Sequence, residues 1–185
     1  VNYAMENSLF LLTGGPGTGK TTALNAIIEI LSNRKMSFAL AAPTGRAAKR
    51  MTEVTGHNAT TIHRLLEVEW GEGEKISFGK NSKSPLDYDV IIIDEMSMVD
   101  AQLFKAVLEA SRITTRIILV GDSDQLPSVG AGNVLNDLIA SDVVPYVRLN
   151  KIFRQAAESS IVSFSHDIIS GTIPENYLRS DNFFF

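Results

Sequence analysis

The stretch that decides the fold reads Gly14-Gly15-Pro16-Gly17-Thr18-Gly19-Lys20-Thr21. It fits the pattern glycine, any four residues, glycine, lysine and serine or threonine, in which backbone N–H groups cradle phosphates. The apolar run Leu9–Thr13 precedes it, and apolar side chains recur with helical periodicity from Thr21 to Asn33. A strand, a glycine-rich loop and a helix in this order predict a phosphate-binding loop. The alternative, a glycine-rich turn without a ligand, does not account for the full eight-residue pattern in this setting.

Further apolar runs predict the rest of the sheet. The runs read as buried strands are Phe38–Ala42, Val90–Asp94, Ile117–Gly121 and Val143–Leu149. Strands that are apolar throughout and separated by helical stretches are typical of a parallel sheet covered on both faces. We therefore expect a three-layer α/β fold with a mostly parallel sheet, formed by one domain over residues 1–185. Residues 70–86 are rich in Gly, Glu, Lys and Ser and are expected to form a surface loop or a small insertion within it.

Composition excludes several classes of protein. The chain has no cysteine and its three histidines lie far apart, so disulfides and a zinc site are not expected. No apolar run is long enough to span a bilayer and no leader is visible, so we expect a cytoplasmic protein without membrane contact. The net charge of −4 decides little about nucleic acid, because a local basic face can still steer a polyanion. The apolar run Phe183–Phe185 at the end suggests a piece of a longer protein.

The phosphate loop predicts the ligands of ATP and Mg²⁺. Lys20 is expected to reach the β- and γ-phosphates, and the Thr21 hydroxyl is expected to ligate Mg²⁺. The predicted nucleotide-binding residues are Gly15, Pro16, Gly17, Thr18, Gly19, Lys20, Thr21 and Thr22.

Two polar groups follow other predicted strands. Asp94 and Glu95 end an apolar run, so they should emerge at the carboxyl edge of the sheet, where Asp94 can hold Mg²⁺ and Glu95 can activate the attacking water. Gln125 follows the strand Ile117–Gly121 and is a candidate contact of the γ-phosphate and the attacking water. Taken alone, an acidic strand end often only solvates a turn, and the segment around Gln125 would be an ordinary turn.

Basic residues gather in three places. Arg46, Lys49 and Arg50 are spaced to share one face of a helix, after a Pro43-Thr44-Gly45 turn that offers backbone N–H groups to a phosphate. Thr60–Arg64 adds a second small polar and basic group, and Arg154 follows the last predicted strand, from where it could approach the γ-phosphate. For each of these, a solvated surface group remains the alternative.

Together these segments resemble superfamily 1 DNA helicases, and among them the RecD-like group, which is related to the alpha subunit of exodeoxyribonuclease V. The segments similar to helicase motifs I, Ia, Ib, II, III and IV are, in order, Gly14–Thr22, Ala42–Met51, Thr60–Leu66, Asp94–Asp100, Gly121–Leu135 and Leu149–Gln155. The resemblance covers nearly the whole chain and implies the first RecA-like motor domain of a helicase that moves 5′ to 3′ along single-stranded DNA.

The resemblance also implies roles for individual residues. Pro43, Thr44, Gly45 and Arg46 would contact the DNA backbone with His63 nearby, while Gln125 and Arg154 would respond to the γ-phosphate. Such contacts follow phosphates and give little sequence preference.

The implied partners are single-stranded DNA and a second RecA-like domain of the same parent chain, with other subunits of a repair complex left open. Motifs V and VI, which supply an arginine finger, are absent from the sequence, as is the upstream glutamine that recognises adenine. Because an arginine finger contributes on the order of 10³–10⁵ in rate, we expect the chain alone to hydrolyse ATP very slowly. Two other functions stay open: a P-loop kinase, and a nucleotide-gated module that clamps DNA or protein without turnover.

Overall fold

A computed structural model describes residues 2–70, 76–151 and 167–172. The helices within residues 2–70 and 76–151 are α1 (Asn2–Glu6), α2 (Lys20–Asn33), α3 (Gly45–Thr55), α4 (Ile62–Leu65), α5 (Ala101–Ala110) and α6 (Val134–Ser141). The strands are β1 (Leu9–Gly14), β2 (Phe38–Ala42), β3 (Ala59–Thr61), β4 (Val68–Trp70), β5 (Ile76–Phe78), β6 (Val90–Ile93), β7 (Arg116–Gly121) and β8 (Tyr146–Leu149). A short 3₁₀ turn, Met96–Met98, follows β6.

Six strands form one sheet in the order β3-β2-β6-β7-β1-β8, and every pairing in it is parallel. The predicted α/β fold with a mostly parallel sheet is therefore confirmed. Parallel pairing brings the carboxyl ends of all six strands to one edge, which is where open α/β sheets place their ligands.

Alternate residues of the strands supply two separate apolar cores. In β6, Ile91 and Ile93 face the core that contains α5 and α6, whereas Ile92 faces the core that contains α2. All four residues of β6 are fully buried, and each such side chain contributes about 1.5–3 kcal/mol relative to exposure. The periodic face of α2, formed by Leu24, Ile27, Ile28 and Leu31, is buried as its spacing predicts. Both faces of the sheet are covered, which gives the three layers.

Three segments differ in detail from the sequence-based expectation, and the first is β3 (Ala59–Thr61), which adds a sixth strand to the five expected. The last strand begins at Tyr146 and not at Val143, since Val143 is 81% exposed and Pro145 has no N–H for a ladder hydrogen bond. At the segment 70–86, expected as a surface loop or small insertion, β4 (Val68–Trp70) pairs with β5 (Ile76–Phe78) as a short antiparallel ribbon, and Leu86 is buried against the α5 side of the core. Among the described residues, no helix is long and apolar enough to cross a membrane.

Candidate functional site

The predicted phosphate loop, carboxylates and glutamine meet at one edge of the sheet. They follow β1, β6 and β7, which are adjacent, so we call this part of the molecule the nucleotide edge. A cavity of about 770 Å³ opens there. Its lining contains Gly15 to Thr22, Asp94, Glu95, Asp122 and Gln125.

The phosphate loop requires glycine at Gly19 and at Gly14 for two different reasons. Gly19 adopts φ 93°, a left-handed conformation that leads directly into α2. At Gly14 a Cβ atom would lie 2.7 Å from the carbonyl oxygen of Leu149 and 2.7 Å from Thr18 Oγ1, so any side chain would displace β8 or the loop. The buried Thr18 hydroxyl in turn donates to the Gly15 carbonyl at 2.8 Å and closes the loop on itself.

The positive groups of the loop lie at the cavity. Lys20 Nζ donates to the carbonyl oxygens of Gly14 and, at 3.0 Å, of Gly15. The helix α2 starts at this lysine and has no side-chain cap at Gly19, so its first N–H groups and the positive end of its dipole remain available to an anion. An ammonium group, free amides and a helix N-terminus in one loop form a site suited to phosphates.

The two carboxylates are partly withdrawn from water. The pKa of Asp94 is raised above its usual value because burial outweighs the opposing effects. Those are a 2.8 Å hydrogen bond from the Glu95 N–H and the charges of Lys20 and Arg50. Burial likewise raises the pKa of Glu95, and the neighbouring Asp94 charge raises it further. Glu95 also holds a left-handed conformation, φ 56°, which is rare for a residue with a Cβ and is found preferentially at functional sites. Perturbed carboxyl groups in a cleft that also holds a lysine are typical of an active site.

Gln125 lines the cavity and is hydrogen-bonded to the segment that carries the carboxylates. Its side chain is exposed, and the Ser97 hydroxyl donates to its Oε1 at 3.2 Å. Ser97 itself is 6% exposed on the 3₁₀ turn after Glu95. Sequence reasoning placed Ser97 within the motif II-like segment but assigned it no role, and nothing in its spacing indicated one.

The structure separates the basic residues of α3. The cavity lining includes Ala47, Arg50, Met51 and Val54 of this helix, which share one face by their spacing. Arg46 and Lys49, which the sequence grouped with Arg50, are not part of that lining. Arg50 makes no hydrogen bond or ion pair to the described part of the chain, and its charge acts on both Asp94 and Glu95. The apolar spacing of Ala47, Met51 and Val54 around Arg50 was the signal that could have placed it here.

The candidate DNA contacts follow the two strands at the other end of the same edge. Because Ala42 of β2 is in register with Thr61 of β3, the segments that follow these residues start side by side. We call this part, residues 43–46 and 62–64, the basic edge. It contains half-buried Pro43, Thr44 and His63, and exposed Gly45 and Arg46.

Threonines organise the basic edge. Thr44 Oγ1 accepts from the Ala47 N–H at 3.2 Å and caps α3, and Thr61 Oγ1 caps α4 by accepting from the Arg64 N–H at 3.2 Å. The structure therefore brings Pro43, Thr44, Gly45, Arg46 and His63 to one end of the sheet edge, outside the cavity lining. The remaining candidate, Arg154, lies outside the described residues.

The fold and the cavity define a P-loop nucleotide-binding domain of the α/β class. A family model described as AAA domain matches residues 1–131, and the chain belongs to that family. It is 42% identical over 166 residues to the ATP-dependent RecD2 DNA helicase of Deinococcus radiodurans, covering 90% of this chain and 22% of that protein. It is 40% identical over 159 residues to the RecBCD enzyme subunit RecD of Mycolicibacterium smegmatis, covering 74% of this chain and 28% of that subunit.

A solved structure of Pif1 helicases unwinding forked double-stranded DNA superposes with a TM-score of 0.61 and 25% sequence identity, over 92% of this chain and 46% of that one. The expected resemblance to RecD-like helicases is confirmed. The chain spans about a quarter of the length of these curated relatives.

Proposed function

We propose that this chain is the ATP-binding motor domain of a DNA helicase that couples ATP hydrolysis to 5′ to 3′ movement along single-stranded DNA. The observation that supports it most is the convergence of Lys20, Glu95 and Gln125 on one cavity. The basic edge lies at the neighbouring strands of the same sheet, so one rigid sheet connects both. The polarity is proposed from the likeness of the motifs to the RecD-like group.

In this proposal the phosphate loop binds the nucleotide first. The Lys20 ammonium exchanges its two carbonyl contacts for the β- and γ-phosphate oxygens, and the N-terminal amides of α2 bind the same anion. The Gly15–Thr22 backbone provides the cradle, so its glycines and Pro16, Thr18 and Thr22 act through the shape of the loop.

The donor set around Asp94 fits Mg²⁺. This ion keeps several waters and takes one or two protein oxygens beside those of phosphates, and Thr21 and Asp94 supply such a sparse set at the cavity. No group of three or more His, Cys, Asp or Glu side chains among the described residues forms a richer metal site. Bound there by Thr21 and Asp94, Mg²⁺ would neutralise the negative charge that develops on the phosphates during transfer.

Glu95 is proposed as the base that orients and deprotonates the attacking water. Its raised pKa makes it a better proton acceptor than an exposed carboxylate, while Lys20 and Arg50 help to keep it ionised. Gln125 then contacts the γ-phosphate and this water, and Arg154 is proposed to approach the γ-phosphate as well.

DNA is proposed to bind along the basic edge. Gly45 and Arg46 at the start of α3 can donate to backbone phosphates, with Pro43 and Thr44 shaping the turn and His63 adjacent. Opening and closing of the gap to a second RecA-like domain would move the strand by one step per ATP. The whole site would be completed by residues of that second domain, so the 185-residue chain alone is proposed to be nearly inactive.

The proposal is tested on the full-length parent protein. Its ATP turnover is measured with and without oligo(dT), and strand displacement is compared on duplexes with a 5′ or a 3′ single-stranded tail. We expect strong stimulation by oligo(dT) and displacement from the 5′ tail. ATP turnover that is equal with and without DNA would instead favour the P-loop kinase, and nucleotide binding without turnover in either condition would favour the nucleotide-gated module.

The 185-residue chain is measured beside the parent for nucleotide binding and turnover. Binding with turnover reduced by on the order of 10³-fold or more is expected if residues from elsewhere in the parent complete the site. Equal turnover by the two proteins would contradict that part of the proposal.

A further inference from the structure

A serine joins the two polar segments of the nucleotide edge. Ser97 lies on the 3₁₀ turn Met96–Met98, and its hydroxyl donates to Gln125 Oε1 at 3.2 Å across 28 residues of sequence. The turn is closed by the Met98 N–H, which donates to the Glu95 carbonyl at 3.0 Å. The hydrogen bond from Ser97 therefore connects the Gln125 side chain to the same turn that begins at Glu95.

The direction of this hydrogen bond determines what Gln125 can offer to a ligand. A primary amide has one acceptor oxygen and an NH₂ group with two donors. The serine hydroxyl donates to one lone pair of this oxygen, so the oxygen faces Ser97 and both N–H donors are left for another partner. Phosphate oxygens are acceptors, so the free end of the amide has the polarity that a γ-phosphate requires.

Without such a bond the glutamine would have no fixed position. Gln125 is exposed, and a free glutamine side chain loses rotamer entropy when a ligand orders it. Ser97 is 6% exposed and belongs to a turn that contacts β7 and α6, with Met96 fully buried beside it. A buried donor thus orders an exposed side chain before the nucleotide binds.

We infer that Ser97 is a positioning residue, which holds the Gln125 amide with its NH₂ group toward the γ-phosphate and couples that contact to the turn carrying Glu95. This inference rests on the proposed role of Gln125 in the ATPase reaction. It assigns to Ser97 no contact with the nucleotide itself.

The test is a double-mutant cycle in the full-length parent, with DNA-stimulated ATP turnover as the measurement. The variants are Ser97→Ala, Gln125→Ala and the two combined, with Ser111→Ala as a matched control. The Ser111 hydroxyl also makes one hydrogen bond, to the Val107 carbonyl at 2.7 Å, but it lies at the end of α5 away from the cavity lining. Binding of a fluorescent ADP analogue is measured for every variant.

We expect Ser97→Ala to lower kcat about three- to tenfold, the range for loss of one hydrogen bond, with binding of the ADP analogue unchanged. The double variant should turn over ATP as slowly as Gln125→Ala and no more slowly, because Ser97 acts through Gln125. Gln125→Glu keeps the acceptor for Ser97 but loses the NH₂ donors, so it should be at least as impaired as Gln125→Ala. Ser111→Ala should match the wild type.

Three results would overturn the inference. If kcat of the double variant falls by the product of the two single-variant factors, Ser97 acts on the structure independently of Gln125. An unimpaired Ser97→Ala beside an impaired Gln125→Ala removes the coupling while leaving the proposed role of Gln125 in place. An unimpaired Gln125→Ala removes that role and the inference together, whereas failure of the helicase proposal itself is detected separately by the loss of DNA stimulation in the wild-type parent.

Discussion

The nucleotide edge and the basic edge lie on one parallel sheet, but their side chains are held in different ways. At the nucleotide edge, Asp94 and Glu95 are partly buried, with pKa values raised by that burial, and the loop closes on itself through hydrogen bonds. At the basic edge, Thr44 is used for capping and Arg46 extends into solvent. The nucleotide edge therefore holds partly buried charged groups, whereas the basic edge holds an exposed one.

This difference decides how much each region can tell about function. Withdrawing a carboxylate from water costs free energy. Partly buried carboxylates beside a lysine are therefore typical of a functional site. An exposed arginine costs almost nothing and is compatible with many partners or with none. We therefore expect substitutions at the nucleotide edge to have large effects on turnover, and substitutions at the basic edge to have small effects on DNA affinity alone.

The largest effect is expected at Glu95. Glu95→Gln keeps the size of the side chain but removes the base, and a positioned base contributes on the order of 10²–10⁴ in rate. We predict that kcat of the full-length parent falls by about that factor while nucleotide affinity is kept. Glu29→Gln, an exposed carboxylate on α2, serves as the control and should leave kcat unchanged. An active Glu95→Gln variant would show that the carboxylate only solvates the turn after β6.

Lys20 should come next. Lys20→Ala removes the ammonium group that lies over the Gly14 and Gly15 carbonyls, and loss of one preorganised donor to developing charge costs about 10²–10³ in rate. Unlike Glu95→Gln, this change should also weaken nucleotide binding, because the lysine contacts the phosphates in the ground state. The pair of measurements is kcat and the dissociation constant of an ADP analogue, with exposed Lys35→Ala as the control. Unchanged binding and turnover in Lys20→Ala would contradict the phosphate role of the loop.

Arg50 and Lys49 form a sharper comparison, since they are consecutive cations on α3. Arg50 lines the cavity and Lys49 does not, so only Arg50→Gln should weaken nucleotide binding. The side chain is exposed, which limits the expected loss to about two- to fivefold, the range of an exposed charge pair. Titration of the ADP analogue into Arg50→Gln and Lys49→Gln measures the difference. Equal losses in both variants would mean that α3 acts through its total charge and not through one face.

The sequence predicted where the residues of the nucleotide edge lie, because their positions follow from local backbone geometry and from the ends of single strands. The glycines of the phosphate loop are required by backbone geometry, and the strand ending at Ile93 is recognisable from its apolar run, so Asp94 and Glu95 could be placed at the carboxyl edge. Contacts between distant segments were not predictable in this way. The bond from Ser97 to Gln125 depends on how the turn after β6 meets the loop after β7. The short strands β3, β4 and β5 were also missed, since three-residue strands carry too little periodicity to detect.

The smallest effect is expected at Arg46. The salt dependence of DNA binding distinguishes it from an effect at the nucleotide edge. If Arg46 contacts a DNA phosphate, Arg46→Ala should weaken binding of oligo(dT) to the full-length parent and reduce the slope of log K against log salt by about 0.7, the value for one phosphate contact on a single strand. Arg34→Ala, an exposed arginine at the end of α2, should leave the slope unchanged, and so should Arg50→Gln if its charge serves the nucleotide. A titration series in KCl measures all three variants. If Arg50→Gln reduces the slope and Arg46→Ala does not, DNA follows the cavity face of α3 and the division between the two edges is wrong.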